Sequence, residues 1–132
     1  MESDQTPASF RPQHRGLRVR HEAASLAGAV HDALDRMLEG RRDAFGDQMR
    51  RAAVSNHANF AEGEGRDSPR DRLRFSTIAW ASLRELHAHI ELAVSVDALP
   101  ATEAARVYAH CRHVSRMLHA LRRARSASLP GR

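Results

Sequence analysis

Apolar residues recur every three to four positions along most of this chain, a spacing that predicts four amphipathic helices. The first is expected from about His21 to Leu38, with Leu26, Val30, Leu34 and Met37 or Leu38 on one face and Gly40 as its stop. The second is expected from about Asp43 to Glu62, turning Phe45, Met49, Ala52, Ala53 and Phe60 inward. Gly63 and Gly65 then offer positive-φ positions for the chain to leave the helix. Ser68, Pro69 and Asp71 mark the start of the third helix: an N-cap hydroxyl, a proline suited to the first helical position, and an acid in the first turn. Its main stripe is Phe75, Ala79, Leu83, Leu86, Ile90 and Ala93. A second stripe, Ile78, Leu92 and Val96, falls on another side and asks for a second neighbour, either a helix of the same bundle or another subunit.

Pro100 ends that run, and Thr102 is placed to cap a fourth helix from about Glu103 to Arg125. Val107, Cys111, Val114, Met117, Leu118 and Leu121 form its apolar arc. Four such helices with short connections bury their stripes most simply as an all-α, antiparallel up-down four-helix bundle. The expected organisation is therefore an N-terminal arm over residues 1–20, a bundle over 21–125 and a loose tail over 126–132.

Composition supports this reading. Hydrophobic residues make up 42% of the chain, only six residues are aromatic, and Ala, Leu, Arg and Glu abound. No apolar run has the length of a membrane span, and the first residues show no secretory pattern, so a soluble cytoplasmic protein is expected. The single cysteine, Cys111, fits a reducing compartment. All 21 basic residues are arginine, a bias that base composition of the genome can explain in part.

Charge is unevenly spread. Residues 32–103 hold ten arginines and thirteen acids, whereas after Glu103 there are seven arginines and no acid. Such asymmetry suggests a polyanionic partner, with a merely solvated basic helix as the bland alternative. The candidate binding set is Arg112, Arg116, Arg122 and Arg123, with His113 and His119 among them. Arg50-Arg51 and Arg41-Arg42 are candidate additions, although Arg50 and Arg51 are also placed to pair with acids such as Glu62 or Glu85. Arginine offers phosphate a planar fork of donors. No aromatic platform, zinc finger or phosphate loop stands out in the sequence, so charge-led binding that weakens steeply with salt is expected.

The run Gln48-Met-Arg-Arg-Ala-Ala-Val-Ser-Asn-His-Ala-Asn-Phe-Ala-Glu-Gly63 resembles a bacterial family of four-helix-bundle proteins. That family was first noticed as proteins encoded in intervening sequences of large-subunit ribosomal RNA. Ser82-Leu83-Arg84-Glu85-Leu86 and Arg116-Met117-Leu118 match further parts of its pattern in the right order. Asn56-His57 stands where the family often has Ile-Pro, a departure that puts the bend of the second helix in question. The resemblance implies a homopentameric ring, for which Ile78, Leu92 and Val96 are the candidate interface, and it implies no catalytic activity. Relatives include the accessory subunit of diversity-generating retroelements, which binds nucleic acid and a reverse transcriptase through a basic surface. Asn59, Glu62 and Glu85 match the family run and are expected as polar groups fixing the bundle, the first two buried at the turn between the second and third helices.

Other chemistry finds little support. His87/Glu91 and His110/His113 have helical spacing suited to a metal ion, but no glutamate has a histidine three residues on, and no cofactor is expected. No local motif arranges Ser, His and Asp as a triad, and Cys111 falls on an apolar arc, so no enzyme is expected. The leading expectation is a non-enzymatic basic module for RNA or DNA. The rival is a structural adaptor whose basic helix docks an acidic protein.

Overall fold

The computed structural model describes residues 12–37 and 45–130. These contain four helices and no strand: α1 (Pro12–Leu34), α2 (Asp47–Glu64), α3 (Pro69–Ser95) and α4 (Ala101–Ala127). α1 packs on α2 and α4, and α3 packs on the same two, so the helices stand at the corners of a square. Cross-helix contacts run in opposite order: Glu22 meets His110 and Arg36 meets Glu103, while Ser76 meets Arg125 and Leu83 meets Cys111. The bundle is therefore antiparallel.

The core follows the apolar stripes. Leu26, Val30, Leu34, Met49, Phe60, Leu83, Leu86, Ile90, Val107, Val114 and Leu118 are almost completely buried. Each such side chain contributes about 1.5–3 kcal/mol relative to exposure, which makes this shared core the main source of stability. Phe45, Phe75 and Met117 are only half-buried at its margin.

The first and last helices reach further than composition suggested. α1 begins at Pro12, so residues 12–20 belong to the bundle and only 1–11 of the expected arm lie outside the described residues. Proline is tolerated in the first helical turn, and Val19 extends the buried stripe that continues through Ala23 and Leu26. The tail is docked as far as Pro130: α4 continues to Ala127, Leu129 is buried, and Arg70 Nη2 donates to the Pro130 carbonyl at 3.2 Å.

The helix ends confirm one local expectation and correct two. Ser68 Oγ accepts from the Asp71 amide at 3.3 Å, with Pro69 at the first helical position. Thr102 is not a cap. Pro100, with φ −56°, precedes α4, and its carbonyl accepts from the Ala104 amide at 2.9 Å, so the helix has started before Thr102. Gly65 has φ −84° rather than a positive value, and Gly63 lies inside α2. The need for glycine at 63 is steric: a Cβ there would stand 2.5 Å from Cβ of Phe75.

α2 runs unbroken through Asn56-His57. Asn56 is buried, and its Nδ2 donates 2.8 Å to the Ala79 carbonyl of α3, while Oδ1 has no partner among the described residues. Among the described residues the buried polar ones are thus Asn56, Ser76 and Ser82, not the expected Asn59 and Glu62. Asn59 is half-buried and bonds back to Ser55, Glu62 is exposed and pairs with Arg66, and exposed Glu85 meets His89. The reason is rotational: Asn56 points along the Met49–Phe60 core face, from which Asn59 and Glu62 are turned away.

Candidate nucleic-acid interface

Where α3 and α4 run side by side, their outer edges enclose an open groove of about 540 Å³. α3 supplies Trp80, Leu83, Arg84, His87, Ala88 and Glu91, and α4 supplies Arg112, Ser115 and Arg116. The placement follows from helical spacing. Trp80, Arg84, His87 and Glu91 are three or four residues apart and share one flank of α3, as Tyr108, Arg112, Ser115, His119 and Arg122 do on α4. Small residues, Ala88 and Ser115, leave room between the larger ones.

The arginines stand against aromatic rings. Arg84 and Arg122 lie over the Trp80 ring, at 5.1 and 4.8 Å from its centroid, and Arg112 lies 5.9 Å from that of Tyr108. Guanidinium groups so placed are attracted by the negative ring face, an interaction of about 0.5–1 kcal/mol at exposed sites. Rings pair too: His87 and Tyr108 have centroids 4.5 Å apart, and Trp80 and His119 are 6.1 Å apart. Arg122 Nε also donates to Thr77 Oγ1 at 3.3 Å.

Glu91 is the one acid lining the groove, and it meets His87 Nε2 at 3.4 Å. Among the described residues Arg84, Arg112 and Arg116 have no carboxylate partner. These groove arginines therefore present cationic charge that the fold does not neutralise.

Of the residues singled out in the sequence, Arg112, Arg116 and Arg122 come together here, and exposed Arg123 follows Arg112 and Arg116 around the outer side of α4. Arg50 and Arg51 do not join them. They lie on α2, diagonal to α4, and Arg50 pairs with Asp47 at 3.6 Å rather than with Glu62 or Glu85. Arg41 and Arg42 lie outside the described residues. Arg125 is withdrawn from the surface by Glu64, at 2.6 Å, and by Ser76.

Arg84, Trp80 and Tyr108 were not singled out in the sequence as binding residues, and His87 was weighed only as a metal candidate; the structure places these rings beside the groove arginines. Single aromatic residues on separate helices carry no local motif. The available signal was the four-residue spacing of Trp80 with Arg84 and of Tyr108 with Arg112.

Ile78 and Leu92 are exposed on the outward side of α3, whereas Val96 packs against the core and is not part of that stripe. Exposed Val94 instead borders an apolar continuation of the groove with Ile90, Ala101, Ala104, Ala105 and Tyr108.

Among the described residues no three His, Cys, Asp or Glu side chains gather as a metal site. His110 faces Glu22 across helices, at 3.5 Å, and His113 is exposed elsewhere on α4. Behind the groove, burial pushes the Cys111 thiol up from 9.0 to about 11, against a hydrogen bond with Ser115 that works the other way. Its Sγ lies 3.6 Å from the Leu83 carbonyl, as a packing donor. No helix among the described residues is long and apolar enough to cross a membrane.

Comparison with known proteins agrees with this architecture. A solved protein of unknown function from the S23 ribosomal protein family of Bacteroides thetaiotaomicron superposes with a TM-score of 0.72. It is 16% identical, and the match covers 78% of this chain and 96% of that one, which is a likeness of fold. No curated protein matches the chain. The family model described as 23S rRNA-intervening sequence protein matches residues 15–120, through all four helices. The chain belongs to the 23S rRNA-intervening sequence protein family.

Proposed function

We propose that this chain is a non-enzymatic, cytoplasmic binding module that holds RNA or DNA in the groove between α3 and α4. The observation that carries the reading is the set of unneutralised guanidinium groups, Arg84, Arg112 and Arg116, gathered in one groove beside Arg122. Each is a planar fork suited to phosphate, and their sum gives local positive charge where the net charge of the chain is only +5. The family description names an intervening sequence of 23S rRNA, and a nucleic-acid role is compatible with that name.

The same reading includes self-assembly. Ile78 and Leu92 give α3 an exposed apolar side, and the family resemblance implies a ring of five. A ring would repeat the groove and multiply a weak contact by effective concentration.

A second reading, docking of an acidic protein, is favoured by one feature, the apolar continuation of the groove around Val94 and Ala105. Fluorescence anisotropy with labelled RNA and DNA over a salt series separates the two. An association constant whose logarithm falls linearly with log salt, and that drops steeply in Arg112→Glu/Arg116→Glu with helicity retained, is the expected outcome. Absence of nucleic-acid binding at low salt would reject the leading reading and leave the acidic protein.

A further inference from the structure

A surface that only holds phosphates needs cations, yet two rings, Trp80 and His87, line this groove, and each is paired with a ring of α4 at its margin. Two ring pairs are formed across the helices: Trp80 with His119, and His87 with Tyr108. Trp80 and His87 are seven residues apart on α3, which places the pairs about 10 Å from one another along the groove, two turns of helix. Arg84 stands between them on α3, Arg112 and Arg116 face them from α4, and small Ala88 and Ser115 leave the space between open.

We infer that the groove takes unpaired nucleic acid, a single strand of RNA or DNA, with bases stacked at the two ring pairs and phosphates held by the arginines between. This inference rests on the nucleic-acid function proposed above and goes further by naming the form of the ligand. The ring of Trp80 is half-buried and stands at the groove wall, carrying Arg84 and Arg122 over its surface. A guanidinium resting on indole is itself a flat platform, and bases stack on aromatic rings and on guanidinium planes alike. A duplex keeps its bases inside its own stack, so it would use the arginines and leave the rings without a role. An unpaired strand uses both, and its stacking is tolerant of sequence because every base has a π-face. Nothing in the groove reads base edges through a fixed array of donors and acceptors, and the inferred preference is accordingly for form over sequence.

Trp80 is the only tryptophan in the chain, so its emission reports directly on the groove. The test titrates the full chain at low salt with unstructured single-stranded RNA, single-stranded DNA, a duplex of the same length, and heparin as a polyanion without aromatic bases. Single strands are expected to quench Trp80 emission strongly and to bind more tightly than the duplex, while duplex and heparin, which reach only the arginines beside the ring, change the emission far less. Comparing the two single strands shows whether ribose or deoxyribose is preferred. Trp80→Leu is expected to weaken single-strand binding on the order of tenfold, with an unchanged salt slope and unchanged duplex affinity. The quenching experiment needs no variant and stands even if Trp80→Leu folds poorly. Single strands that bind without altering Trp80 emission, or a duplex that binds as tightly, would overturn the stacking inference and leave nucleic-acid binding intact. Binding of no nucleic acid at all would overturn both.

Discussion

Arg125 of α4 reaches across the base of the bundle to Glu64 of α2, with Nη2 2.6 Å from Oε1. The same guanidinium donates to Ser76 Oγ at 3.0 Å and lies 5.8 Å from the Phe60 ring centroid. It therefore joins three helices, and one arginine of the basic C-terminal segment serves the fold rather than a ligand.

Arg125→Met should lower the unfolding free energy by about 1–2 kcal/mol, because Glu64 is left three-quarters buried without its cation. Urea denaturation checks this. Nucleic-acid affinity of the folded variant should match the parent, in contrast to Arg112→Glu/Arg116→Glu. A large loss of affinity with unchanged stability would place Arg125 in the binding surface instead.

Gly63→Ala tests the closest approach of α2 to α3. Alanine is favoured over glycine within a helix by about 1 kcal/mol. Here, however, the new methyl would meet Phe75 Cβ at 2.5 Å, a contact that neither backbone can relieve without moving. Overpacking of this kind costs about 1–3 kcal/mol, so a net loss of thermal stability is expected. A rise in melting temperature would show that the two helices are not held so close.

At the turn from α3 to α4, Asp97 has φ 55°, in the left-handed region. The amides of Ala98 and Asp97 bond to the carbonyls of Ala93 and Val94, at 2.8 and 3.0 Å, and buried Ala98 completes the motif against Ala93. Asp97→Gly should relieve the strained conformation and stabilise the protein by about 0.5–1 kcal/mol, measured by thermal or denaturant melting. Asp97→Val should do the opposite.

Cys111 sets a pH dependence. Its thiol pKa is raised by burial to about 11 in the fold, against 9.0 for a free thiol. The neutral thiol is the form the fold favours, so this contribution is complete below about pH 9 and is lost as pH rises toward 11. Cys111→Ala should flatten that part of the stability profile. In the parent protein at pH 8, a thiol reagent should react only after denaturant is added; rapid labelling of the native chain would contradict the burial.

The sequence was most informative where structure is made locally. The Ser68-Pro69-Asp71 start of α3 is capping chemistry within four residues, and the stripes of Leu26, Val30 and Leu34 or Leu83, Leu86 and Ile90 follow from helical period alone. The arm expected over residues 1–20 hides the start of α1, because a proline resembles a breaker in isolation, whereas Pro12 occupies a first-turn position and Val19 beyond it is buried. The buried role of Asn56 was equally hidden, since only packing against the Ala79 carbonyl reveals it. The groove itself depends on α3 meeting α4 in one register. Trp80 and Arg122 are over forty residues apart in the chain, and no pattern within either helix announces their contact.

The left-handed turn at Asp97 has a consequence for the groove as well as for stability. It closes the space between α3 and α4 at one end, while Thr77–Arg122 and Ser76–Arg125 fasten the two helices at the other. Contacts at both ends oppose separation of the walls, so the proposed ligand would meet a largely preorganised groove whose ordering entropy was lost when the chain folded. Changes to individual groove residues should then alter how long a complex survives more than how fast it forms.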